Sequence, residues 1–135
     1  MDEGKKYEVR QWLIKSQRDL GAVLVLLESE PVYLDIAAYH CQQSAEKAIK
    51  GYLTHQDIVF QKTHDLSRLL ALCALQDSRF GQWRALAAML TPYATEFRYP
   101  GDVLEPSRAE VEHAFEMTKD FLNFVLRVLP DEIGL

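Results

Sequence analysis

Apolar residues recur along this chain at intervals of three and four, the spacing of one face of an α-helix. Val9, Trp12, Leu13, Leu20, Val23, Leu24 and Leu27 predict a first helix from about Lys5 to Ser29, with Arg10, Lys15, Arg18 and Asp19 on its other side. Pro31 ends that helix or opens the next. A second helix is predicted from about Pro31 to His55, with Tyr33, Ala37, Cys41, Ala45, Ala48 and Tyr52 as its stripe and Ile49 and Leu53 widening it. Ala37, Ala38, Ser44, Ala45 and Ala48 are small enough to let a neighbouring helix approach closely, and Gln42, Gln43, Glu46, Lys47 and Lys50 are expected on the polar surface.

The period breaks between Gln56 and Lys62, where Ile58, Val59 and Phe60 suggest a short extended plug for the bundle end. A third helix should start near Thr63-His64-Asp65, with Thr63 or Asp65 as N-cap, and carry Leu66, Leu69, Leu70, Leu72 and Leu75. After a break at Gln76-Asp77-Ser78, Trp83, Leu86, Ala87 and Leu90 predict a further helix over about Phe80 to Thr95, bent at Pro92. Pro100-Gly101 signals a turn. Ser107 and Glu110 then form a capping box for a last helix reaching about Leu129, whose stripe is Val111, Ala114, Phe115, Thr118, Phe121, Leu122, Val125 and Leu129. No stretch alternates with period two for long enough to build a sheet. Long helices with short connections, one of them broken, describe an all-α, antiparallel up-and-down four-helix bundle, and residues 1–135 read as one domain.

Composition alters this picture little. At 135 residues the chain has the length of one domain and needs neither disulfide nor metal to fold. Its net charge of -5 argues against a broad nucleic-acid-binding surface. Cys41 and Cys73 both fall within apolar helical patterns, which fits reduced, buried thiols. The charged stretch Met1 to Trp12 is unlike a signal peptide, and no apolar run is long enough to cross a membrane, so a cytoplasmic location is expected. His40, His55, His64 and His113 show no metal-ligand spacing, and no P-loop or dinucleotide fingerprint occurs; neither metal nor cofactor is expected.

Three motifs carry a family resemblance: His40-Cys41-Gln42-Gln43-Ser44-Ala45-Glu46-Lys47-Ala48-Ile49-Lys50, then Lys62-Thr63-His64-Asp65-Leu66, then Arg98-Tyr99-Pro100-Gly101. With Arg18-Asp19-Leu20 in an aromatic-rich first helix, the chain resembles the HEPN domain family (higher eukaryotes and prokaryotes nucleotide-binding) over nearly its whole length. The resemblance implies a bundle that often dimerises, and a group commonly found beside a small nucleotidyltransferase in two-component modules resembling toxin–antitoxin pairs. It also implies an alternative. Many HEPN proteins are metal-independent ribonucleases that use an Arg and a His, with a polar residue and three to five spacers between them, around the start of the last helix.

Arg98 stands where the family arginine is expected, but no histidine follows it closely; Arg108 and His113 have the nominal spacing inside the last helix. As a pair they would combine an anion clamp with a proton-transfer group. Five residues on a helix turn the two side chains about 140° apart, so convergence would need a dimer. Arg98 is open to two readings, a phosphate or nucleotide contact or a structural ion pair with Glu46. Glu46 and Lys50 are spaced for an ordinary pair one turn apart on an exposed face. They and Lys47 equally suit a polar cleft with Arg98. His64 and Asp65 suit an anion site at a helix start or, more simply, a cap. Glu46, Lys47, Lys50, His64 and Arg98 are therefore the candidate ligand-binding residues. They belong to a module expected to be a homodimer, to act with a nucleotidyltransferase, and to bind a nucleotide or, in the alternative reading, RNA.

Overall fold

A computed structural model describes residues 1–97, 100–101 and 105–135. Its five α-helices are α1 (Glu3–Glu28), α2 (Leu34–His55), α3 (Leu66–Gln76), α4 (Arg84–Leu90) and α5 (Arg108–Val128), and no strand occurs among the described residues. The expected all-α bundle is what forms. Helix α2 lies at its centre, packed against α1, α3 and α5.

The α1–α2 pair runs antiparallel and unusually close. A Cβ placed on Gly51 would stand 2.2 Å from Leu13 Cδ2, so the glycine is required by the approach of α1. One turn further along, Ser16 and Ser44 fasten the helices reciprocally: Ser16 Oγ donates to the Ser44 carbonyl at 2.7 Å and Ser44 Oγ to the Ser16 carbonyl at 2.9 Å. Both serines are fully buried, and these bonds satisfy their hydroxyls.

Helix α2 begins at Leu34, later than its sequence pattern suggests, so Tyr33 falls outside it and stays exposed. At its other end Asp57 adopts a positive φ of 57°. The Asp57 N–H bonds the Thr54 carbonyl and the Ile58 N–H bonds the Leu53 carbonyl at 3.0 Å, a Schellman closure built without glycine. This reversal returns Ile58 and Phe60 to the core edge and leaves Val59 in solvent. Asp65, not Thr63, caps α3 by accepting from the Arg68 N–H.

The helix expected over Phe80 to Thr95 is divided. A 3-10 turn (Ser78–Trp83) precedes α4, and a second (Thr91–Ala94) follows it and includes Pro92. Phe80, Trp83, Phe121 and Phe124 make edge and tilted ring contacts there, joined by Tyr52 of α2. Ser107 and Glu110 form the expected capping box of α5. The whole expected α5 stripe is buried, whereas Leu24 and Leu75, expected in the core, are exposed.

Candidate functional site

Three of the α2 residues expected on the polar surface are buried, while Gln43 and Lys47 are half-buried. Gln42, Glu46 and Lys50 keep 0%, 4% and 8% of their area, against the exposed face expected from the sequence. The correction has a geometric cause. Helix α2 is covered by α1 on one side, α3 and the 56–65 segment on another and α5 on a third, so even its polar edge is enclosed. Charges buried this way are costly unless each has a partner.

They are partnered through two similar clusters. In the first, Glu46 Oε1 receives His64 Nδ1 at 2.8 Å and Gln42 Nε2 at 3.0 Å, while Oε2 receives Lys50 Nζ at 3.1 Å. Burial raises the Glu46 carboxyl pKa, but the hydrogen bonds from His64, Gln42 and Lys50 outweigh it, and the group ends below its ordinary value. Lys50 Nζ also sits 5.7 Å from the ring centres of both Trp12 and Phe60. The ammonium is thus held between a carboxylate and two aromatic faces.

In the second cluster the carboxylate is Asp19 of α1. His40 Nδ1 lies 2.7 Å from Asp19 Oδ1, and Lys47 Nζ lies 2.6 Å from Oδ2. The Gln43 side chain donates to Gln42 Oε1 at 2.7 Å and so ties the polar edge of α2 together between the clusters. Each cluster places a lysine and a histidine on a buried carboxylate.

The sequence-derived candidates separate accordingly. Glu46, Lys50 and His64 are brought into direct contact; Lys47, adjacent to Glu46 in the chain, belongs to the Asp19 cluster. The expectations for Arg98 lie outside the described residues. Among the described residues Glu46 accepts from Gln42, Lys50 and His64. His64 does not cap α3, a role taken by Asp65. Asp19 and His40 were not singled out as site residues. They lie 21 positions apart, and only the folding of α1 against α2 joins them; the signal available was their place in the two family motifs.

Arg108 and His113 both lie exposed on α5. The Arg108 guanidinium donates to the Leu27 carbonyl at 2.9 Å and lies 3.9 Å from Glu112, so it fastens the start of α5 to the end of α1.

A hollow of about 450 Å³ lies between the 56–65 segment and α3, with Phe60, Gln61, Thr63 and Arg68 in its lining; Phe60 is also the ring that faces Lys50. It offers an aromatic ring, hydrogen-bonding groups and a guanidinium. Among the described residues no three His, Cys, Asp or Glu side chains gather as a metal site requires. No helix there is long and apolar enough to cross a membrane.

Comparison with known families matches the model described as HEPN domain over residues 9–129. Among solved structures, TT1696 from Thermus thermophilus aligns with a TM-score of 0.77 at 25% identity, over 90% of this chain and 98% of that one. An archaeal HEPN homologue aligns at 0.70 and 25% identity, over 89% of this chain and 96% of that one. Comparison with curated proteins finds no match.

Proposed function

Because this chain belongs to the HEPN domain family, we propose that it is the binding half of a two-component, toxin–antitoxin-like module, acting as a homodimer with a small nucleotidyltransferase and holding a nucleotide beside the polar edge of α2. The observation that carries this reading is the Glu46 cluster: a buried carboxylate clamped by Lys50, Gln42 and His64, with the Lys50 ammonium 5.7 Å from the ring of Phe60, which lines an open hollow. Burying ionised groups costs free energy that an apolar core of equal volume avoids, and such groups concentrate at functional sites. The hollow has the components a nucleotide needs: the Phe60 ring for the base, Arg68 for phosphate and Gln61 and Thr63 for a polar group. Leu24, Val25, Tyr33 and Ile36, exposed near the α1–α2 turn, supply apolar surface for a second copy or the partner.

The ribonuclease alternative would assign the chemistry to Arg108 and His113. The Arg108 guanidinium is engaged with Leu27 and Glu112, which gives that alternative no support within one chain.

Two assays test the reading together. Tagged chain, expressed in cells that also supply the nucleotidyltransferase, is expected to co-purify with it. The purified chain alone, incubated with cellular RNA in excess chelator, is expected to leave the RNA intact. Cleavage that disappears with His113→Ala would replace this reading with the ribonuclease one.

A further inference from the structure

The Asp19 cluster is not needed to wall the hollow, and its arrangement has a consequence of its own. Asp19 is almost buried, and Lys47 Nζ at 2.6 Å already balances its charge. His40 is therefore a surplus partner. Its Nδ1 faces Asp19 at 2.7 Å, and 29% of its side chain remains accessible. A carboxylate on Nδ1 fixes the orientation of the ring and leaves Nε2 directed away from Asp19. Among the described residues Nε2 has no hydrogen-bond partner, and Lys47 engages only one of three ammonium protons through Asp19.

We propose that His40 and Lys47, held by Asp19, form a binding site for a phosphate group on the α1–α2 seam, separate from the hollow lined by Phe60 and Arg68. The imidazolium Nε2–H and the free ammonium protons donate to the phosphate oxygens; Asp19 positions both donors and does not touch the ligand. Asp19 and Lys47 together are neutral, so the site carries one positive charge when His40 is protonated and none when it is not. Among the described residues the charged groups facing His40 are Asp19 from α1 and Lys47 from its own helix, with the Tyr39 ring edge-on at 5.5 Å. The ligand is free phosphate or a phosphomonoester; the chemistry recognised is the same.

Histidine NMR on the intact chain is the test, with inorganic phosphate and adenosine monophosphate as separate probes. Inorganic phosphate should shift the His40 ring resonances saturably and leave those of His64 in place. Lys47→Met should weaken that response roughly tenfold, the worth of one charge-assisted hydrogen bond. The wild-type titration needs no substitution, so a misfolded variant cannot mimic failure. A matching shift with the nucleotide admits monoesters; a shift with phosphate alone restricts the site to the free anion. A His40 resonance that ignores both probes, or a phosphate response that Lys47→Met leaves unchanged, overturns the proposal. Nucleotide that perturbs only His64 leaves the reading of the hollow standing and removes this site. Phosphate that perturbs only His40, with no nucleotide bound anywhere, does the reverse.

Discussion

Glu46 and Lys50 stand one helical turn apart on α2 with 3.1 Å between their charged ends, and each keeps less than a tenth of its surface. On an exposed helix such a pair contributes a few tenths of a kcal/mol. Here each charge depends on the other. Glu46→Ala strands Lys50 among Trp12, Phe60 and the core and should cost about 3–5 kcal/mol by chemical denaturation. Glu46→Gln with Lys50→Met removes both charges and should recover much of that loss. A single variant no worse than the double would contradict the coupling.

The same carboxylate sets a pH dependence. Burial works to raise its pKa, but the bonds from His64, Gln42 and Lys50 prevail, so the folded value lies below the ordinary one near 4.5. A group with a depressed folded pKa contributes stability that is complete above its unfolded pKa and is lost as pH falls through the folded one. Urea titrations should therefore show wild type losing stability below about pH 4.5 more steeply than Glu46→Gln.

Two glycines in helices should respond to alanine in opposite directions. At Gly51 the added Cβ meets Leu13 Cδ2 at 2.2 Å and Trp12 Cβ at 3.2 Å, and Leu13 is fully buried. Overpacking of about 1–3 kcal/mol should exceed the helix-propensity gain of about 1 kcal/mol. At Gly21 nothing lies within 4 Å, so Gly21→Ala should stabilise by roughly 0.5–1 kcal/mol. Thermal melts of the two variants check the sign of each.

Ser107 and Glu110 close the start of α5 reciprocally, at 3.1 Å and 3.2 Å. Ser107→Ala should cost about 1 kcal/mol, measured as a lowered denaturation midpoint with an unchanged slope.

Cys41 and Cys73 are buried, and desolvation pushes both thiols up to about 12. The thiolate is the reactive form. Alkylating reagent at neutral pH should leave both unmodified in the native protein and label both after denaturation, counted by mass spectrometry.

What could be read from the sequence divides along physical lines. The α5 stripe and its capping box follow from local spacing alone, and both form as expected. The burial of the polar edge of α2 is not legible locally, because Glu46 and Lys50 have the same spacing whether water or neighbouring helices surround them. The available sign was Gly51 with a run of small residues, which marks a helix enclosed by others. Asp19 with His40, and Glu46 with His64, join through tertiary structure at separations of 21 and 18 residues, beyond the reach of any local pattern. Asp57 closes α2 with a positive φ that a search for glycine overlooks.

Calorimetric titration of ribonucleoside mono- and triphosphates into the purified chain tests the central claim most directly, with Glu46→Gln and His113→Ala in parallel. Saturable binding that weakens with Glu46→Gln and is unchanged by His113→Ala is the expected result. No binding by wild type, or binding lost with His113→Ala and kept with Glu46→Gln, would contradict the claim that the polar edge of α2 is the ligand site.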